Sequence, residues 1–317
     1  MILAFSGGVG GAKLAAGLSD VVPSNELTVV VNTGDDFEYL GLRVMPDLDS
    51  VLYAVASVND TQRGWGRAAE TWECKASLDA MGVDNWFMLG DKDLATHLWR
   101  HALLSAGASF TGVAQDLARR LGVKCAVVPM SDQAVETVVH TENDVLAFQD
   151  YFVRRRCEPR VRSFAFHNSG RATPSGAWFS KVIQRKVKGL VICPSNPFVS
   201  IDPILSLQRV RDTLLRSNFP IVAVSPVVGG ESVKGPLSKM LRELGKPCSP
   251  IAVAEHYGSL IQGIVIDHRD QQHETELRAR GLEVEVCETL MTDRDVARGL
   301  ARNAIGLLDR CGGRCDA

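Results

Sequence analysis

The chain has 317 residues, 45% of them hydrophobic and 23% charged, with a formal net charge of −2. This length supports a large core and one or two domains, and the composition is that of a globular protein, not a disordered or fibrous one. The near-neutral balance gives no general pull toward nucleic acid, and no apolar run approaches the roughly 20 residues of a membrane helix.

The chain opens on a short apolar run, Ile2 to Phe5, that reads as a buried strand. Gly7, Gly8, Val9, Gly10 and Gly11 follow, then a helix-like stretch from Ala12 to Leu18 carrying Lys13. Strand, glycine turn and helix start together build an anion site, because glycines let a phosphate approach the backbone and the helix N-terminus points free N–H groups at it. The two common versions of this motif are near misses. A dinucleotide fingerprint would need glycine where Lys13 stands, and a Walker loop would need a hydroxyl residue where Leu14 stands. A glycine turn that only packs helix on strand is the plainer alternative.

Leu27 to Val31 reads as a second buried strand, followed by Asn32-Thr33-Gly34-Asp35-Asp36. Asp47 and Asp49 then open an apolar helical run. One acid suffices as a cap, so a pair suggests a metal ligand or a general base. Residues 60–120 are mainly helical in pattern, with Trp65 and Trp72 near the start, and 124–166 read as short strands with one helix. Later strands are expected at 189–193, 220–224 and 263–266, with a helix from Pro203 to Arg216 that Asp202 would cap. Buried strands alternating with helices predict an α/β fold, a Rossmann-like doubly wound parallel sheet with a mainly helical inserted region. The core is placed at about 1–58 and 186–310, the insert at 59–185 and a frayed tail at 311–317.

Ligands of such sheets bind beyond the carboxyl ends of the strands. Four loops there are small, polar and turn-forming: Ser6 to Gly11, Asn32 to Asp36, Pro194-Ser195-Asn196-Pro197, and Ser225 to Gly230. The run Arg154-Arg155-Arg156 reads as a solvated face, and Gly90-Asp91-Lys92-Asp93 as a turn before a helix. Eight cysteines are scattered, with Cys125, Cys193 and Cys287 inside apolar runs as small core residues. Cys311 and Cys315 lack partners at metal-ligand spacing. The N-terminus carries no signal-peptide pattern, and the expected compartment is the cytoplasm.

These residues resemble the 2-phospho-L-lactate transferases of coenzyme F420 biosynthesis over nearly the whole chain. Phe5 to Lys13, Asn32 to Asp36, Pro46 to Asp49, Leu89 to Asp93, Ala95-Thr96-His97, Pro129 to Asp132, Phe148 to Tyr151, Pro194 to Pro197, Lys234-Gly235-Pro236 and Thr289 to Thr292 carry it, in order and spacing. The resemblance implies a Mg²⁺-dependent transferase whose donor is the guanosine diphosphate ester of a three-carbon acid. The acceptor would be the ribityl hydroxyl of the deazaflavin Fo, and GMP would leave. It implies that Gly7, Gly8, Val9, Gly10, Gly11, Lys13, Asn32, Thr33, Pro194, Ser195 and Asn196 hold the guanosine diphosphate part. Asp49 and Lys92 fall where the family contacts Fo, Asp49 being the candidate to orient or deprotonate the hydroxyl. Asp35, Asp36 and Asp47 are candidate Mg²⁺ ligands, and a homodimer is expected.

Two departures stand out. Lys92 replaces a customary arginine, turning a bidentate contact into a point charge, and Cys193 replaces a customary glycine. A non-catalytic nucleotide-binding regulator, like the gluconeogenesis-factor-like branch of the superfamily, is the alternative. That branch has a glycine- and serine-rich turn where Phe37-Glu38-Tyr39 follows Asp36 here. An NAD-dependent oxidoreductase is disfavoured by Lys13 and by Asn32 at the end of the second strand. The acid on the donor (phospholactate, phosphoenolpyruvate or phosphoglycerate) differs by too few atoms to be read from one sequence.

Overall fold

In this computed structural model residues 1–313 are described. Cys315 lies outside them. β1 (Ile2–Ser6) leads into α1 (Gly8–Val21), β2 (Leu27–Val31), the hairpin β3 (Phe37–Tyr39) and β4 (Leu42–Val44), and α2 (Pro46–Val55). α3 (Glu73–Ala80), α4 (Asp91–Ser105), α5 (Phe110–Arg120) and β5 (Ala126–Pro129) follow. β6 (Glu136–Thr141), β7 (Val145–Ala147) and β8 (Val161–His167) form a small antiparallel sheet before α6 (Gly176–Ile183). The chain continues through β9 (Gly189–Ile192), α7 (Asp202–Leu205), α8 (Val210–Leu215) and β10 (Ile221–Val224). Next come the short pair β11 (Val227–Val228) and β12 (Glu231–Ser232), α9 (Leu237–Glu243) and α10 (Pro250–Tyr257). β13 (Gly263–Asp267), α11 (Glu274–Ala279), β14 (Glu283–Cys287) and α12 (Arg294–Gly312) complete it.

Seven parallel strands form the main sheet in the order β14-β13-β10-β9-β1-β2-β5. Successive residues of each strand feed opposite faces, and both faces are apolar. Leu3, Phe5, Val30, Ile192 and Ala223 pack toward Trp178, Leu214, Met240 and Val253. Ala4, Val29, Val31, Val191 and Val224 pack toward Leu14 of α1, Leu52 of α2, Val113 of α5 and Leu300 of α12. The Rossmann-like α/β expectation therefore holds. After β1 the chain builds outward through β2 to β5, then returns to the other side of β1 with β9. The loops after β1 and β9 diverge at that reversal and leave a crevice between them.

Three expectations need correction. Ala126–Pro129 lies inside the range read as an insert, yet it is the seventh strand, pairing Thr28 with Ala126 and Val31 with Pro129. Short strands were expected over 124–166, but periodicity does not record which sheet a strand joins. The helix expected over 203–216 is broken between α7 and α8 at Arg209, whose φ of 66° is left-handed. Cys311, read as frayed tail, is a buried residue of α12. Among the described residues no helix is long and apolar enough to cross a membrane.

Candidate active site

A cavity of about 660 Å³ opens at the carboxyl ends of the strands. Its lining includes Gly7, Gly8, Val9, Gly10, Lys13, Pro194, Ser195 and Asn196. α1 begins at Gly8 itself, so the N–H groups of Val9 and Gly10 belong to a first turn with no i−4 carbonyl to meet. Ser195 ties the two loops together: its Oγ accepts from Gly7 N at 3.1 Å and donates to Gly7 O at 2.8 Å. A Cβ on Gly10 would collide with the Pro194 carbonyl oxygen, and one on Gly11 with Ser195 Oγ. Gly8, by contrast, has a φ of +63° and open space beside it. Gly10 and Gly11 thus permit the two loops to touch, while Gly8 faces the cavity.

Lys13 donates from Nζ to Met291 O at 2.6 Å. Burial, and then the charge of Lys234, push its ammonium below the usual lysine range. Lys234 also lines the cavity and stands against Gly64, where a Cβ would meet its Nζ. Two cations, Lys13 and Lys234, thus line the cavity that the glycine loop borders. Sequence reasoning had not singled out Lys234 for a role, although its Lys-Gly-Pro turn was visible.

Carboxylates stand beside the glycine loop. Asp47 Oδ1 accepts from Gly8 N at 2.7 Å and its Oδ2 from Asn32 Nδ2 at 2.9 Å. Asp47 therefore holds the glycine turn, and burial pushes its carboxyl up to about 6. Asp35 is buried with Oδ1 lacking a hydrogen bond, and burial followed by the charge of Asp47 raises it well above the carboxylate range. Asp36 is also buried and raised, chiefly by desolvation; it faces Arg43 at 3.6 Å and does not line the cavity. Asn32 and Thr33 are buried beneath the cavity floor, where Asn32 Oδ1 accepts from Gly34 N at 2.8 Å.

Asp49 forms an ion pair with the fully buried Arg100, which also donates to His97 Nδ1 at 2.8 Å and to Arg43 O at 3.2 Å. Tyr53 Oη donates to Asp93 Oδ1 at 2.7 Å. Asp49, Asp93 and His97 offer ligand atoms within 4.8 Å of one another. Arg100 already supplies the cation there, so the acids that lack one, Asp35 and Asp47, are the better metal candidates. Lys92 is exposed, donates to Ala68 O at 3.3 Å and lies outside the lining. Cys193 is a buried residue under the Pro194 turn, its thiol pushed up by desolvation.

The lining also carries large apolar side chains: Trp65, Phe87, Met88, Phe148, Phe152 and Val153. Phe148 and Phe152 stack with centroids 5.3 Å apart. Trp65 and Phe152 keep 39% and 38% of their surface exposed. This wall escaped sequence reasoning because its residues come from three separate segments.

The profile of 2-phospho-L-lactate transferase CofD matches residues 2–305. A phosphoenolpyruvate transferase of Streptomyces griseus is 36% identical over 97% of this chain and 98% of its own length. A 2-phospho-L-lactate transferase of Methanosarcina mazei is 36% identical over 95% of this chain and 98% of its own length. The crystal structure of protein BH3568 from Bacillus halodurans superposes with a TM-score of 0.64 at 15% identity, covering 96% of this chain and 98% of its own, which supports the fold alone. With that profile spanning the sheet, both glycine-turn loops and the carboxylate seam, the chain belongs to the 2-phospho-L-lactate transferase CofD family.

Proposed function

We propose that the chain transfers a phosphorylated three-carbon acid from its guanosine diphosphate ester to the terminal ribityl hydroxyl of the deazaflavin Fo, releasing GMP. The observation that carries this reading is one cavity whose lining combines a glycine loop, buried acids and large aromatic side chains. The glycine loop, Lys13 and Lys234 suit a diphosphate. The wall of Trp65, Phe87, Phe148 and Phe152 suits a planar fused ring. A hydroxyl carried on a chain from that ring would meet the phosphate beside Asp49 and Asp93. The family supports a transferase, and relatives named for phospholactate and for phosphoenolpyruvate are equally similar, so the acid is assigned only by class.

Phosphoryl transfer needs positioning and charge neutralisation more than covalent chemistry. The first-turn N–H groups of α1 would bind the phosphate oxygens, and Lys13 and Lys234 would balance their charge. Arg100 fixes the Asp49 carboxylate, which would orient the hydroxyl. The orphaned Asp35 oxygen and its acidic neighbour Asp47 fit a divalent cation, since like charges buried together are relieved by one. When bound, Mg²⁺ would offset charge on the diphosphate. Turnover should vanish with EDTA and return with excess Mg²⁺. Full turnover in excess chelator would exclude the metal role.

The alternative of a non-catalytic regulator finds less support, because buried acids and large aromatic side chains line the same cavity as the phosphate loop.

A further inference from the structure

Two carboxylates, Asp49 and Asp93, line the cavity, and they differ in what holds them. Asp49 Oδ1 is committed to Arg100, and its Oδ2 is sealed from solvent without a hydrogen bond. Asp93 has no guanidinium on either oxygen. Its Oδ1 takes the Tyr53 hydroxyl, and its side chain keeps 12% of its surface open against 7% for Asp49. His97 cannot compete as a base. Its Nδ1 accepts from Arg100, which always donates, so the ring proton sits on Nε2, 3.8 Å from Asp93 Oδ1.

We infer that Asp93 is the general base of the proposed transfer and that Asp49, clamped by Arg100, only orients the acceptor. This inference rests on the transfer reading given above. In the step, the O–H bond of the acceptor breaks and its proton passes to the Asp93 carboxylate. The freed oxygen pair forms a bond to the phosphorus next to the three-carbon acid. The bond from that phosphorus to the bridging oxygen breaks, and GMP leaves with the bridging oxygen. His97 and Tyr53 are positioning residues.

The groups facing Asp93 are Asp49 and Tyr53 from α2, Glu70 from the segment before α3, and His97 and Arg100 from its own helix; Arg67 lies over the Tyr53 ring. Burial, and then the charge of Asp49, push its carboxyl up to about 7, while burial pushes His97 down to about 4. A base that titrates near the working pH is the effective kind.

The test is the pH dependence of kcat with saturating donor, Fo and Mg²⁺, beside GDP affinity by calorimetry. The wild type should gain turnover as pH rises through about 7. Asp93→Asn should lose ~10²–10⁴-fold in kcat and lose that rising limb, with GDP affinity unchanged. Asp49→Asn should keep a rising limb, moved to lower pH because the charge that helps to raise Asp93 is gone, and raise the KM for Fo. Tyr53→Phe keeps the ring but removes a hydrogen bond that favours the ionised carboxylate, so it should move the limb to higher pH; this variant serves if Asp93→Asn does not fold. A rising limb intact in Asp93→Asn, or unmoved in Tyr53→Phe, would overturn the inference. A wild-type chain that binds GDP and Fo yet forms no product would instead overturn the transfer reading, and this inference with it.

Discussion

Gly8 and Gly10 stand two residues apart yet answer to different neighbours. Gly10 packs on the Pro194 carbonyl, and Gly8 is left-handed beside open cavity. Gly8→Ala should cost about 1–2 kcal/mol for the strained conformation and project a methyl toward the phosphate site. GDP affinity should then fall at least ~10-fold, measured by calorimetry. Unchanged affinity would make Gly8 a turn residue only. Gly10→Ala must displace the Pro194 loop, so it should lower both stability and GDP affinity. The sequence announced this loop because glycines in a strand–turn–helix pattern have a local physical meaning. It could not assign duties within the carboxylates. Arg100, fifty-one residues from Asp49, pairs with it only because α4 folds across α2, and Lys92, beside the same motif, points away.

At the scale of elements, α1 is held between α2 and α12, and Gly17 marks its closest approach to α12. In an open helix Gly→Ala would add about 1 kcal/mol of stability. Here a Cβ would strike the Ala297 carbonyl, a backbone atom that cannot rotate aside. Gly17→Ala should therefore lose about 1–3 kcal/mol, read as a lower urea midpoint, and an increase would contradict the packing. Elements with strong signals were legible: β1, β2, β9, β10 and β13 are apolar runs that the sheet buries on both faces. Short strands were expected around β5, but its place in the main sheet was hidden because its partner β2 lies about a hundred residues earlier, and pairing at that distance leaves no local trace. The break at Arg209 was hidden because a left-handed arginine is set by packing and not by propensity.

Over the whole molecule, buried acids set the response to pH. Asp47 at about 6 and Asp93 at about 7 hold protons more tightly folded than unfolded, where carboxyls titrate near 3.8. Their contribution to stability is present at low pH and is lost as pH rises through those values; Asp35 and Asp36 act in the same direction. His97, lowered to about 4, opposes them by gaining stability as pH rises toward 6.5. The carboxylates outnumber it, so the melting temperature of the ligand-free chain should fall by roughly 2–4 °C between pH 5 and 7.5. Mg²⁺ should restore it more at pH 7.5 than at pH 5. A rise across that range, or no effect of Mg²⁺, would contradict the electrostatic picture. The claim that joins the glycine loop to the aromatic lining is the transfer itself. The purified chain should be incubated with Fo, Mg²⁺ and, in parallel, the phospholactyl, phosphoenolpyruvyl and phosphoglyceryl esters of guanosine diphosphate, and the products weighed by mass spectrometry. At least one ester should yield the Fo phosphodiester with an equal amount of GMP. Unaltered Fo with all three, in a chain that still binds GDP, would contradict it.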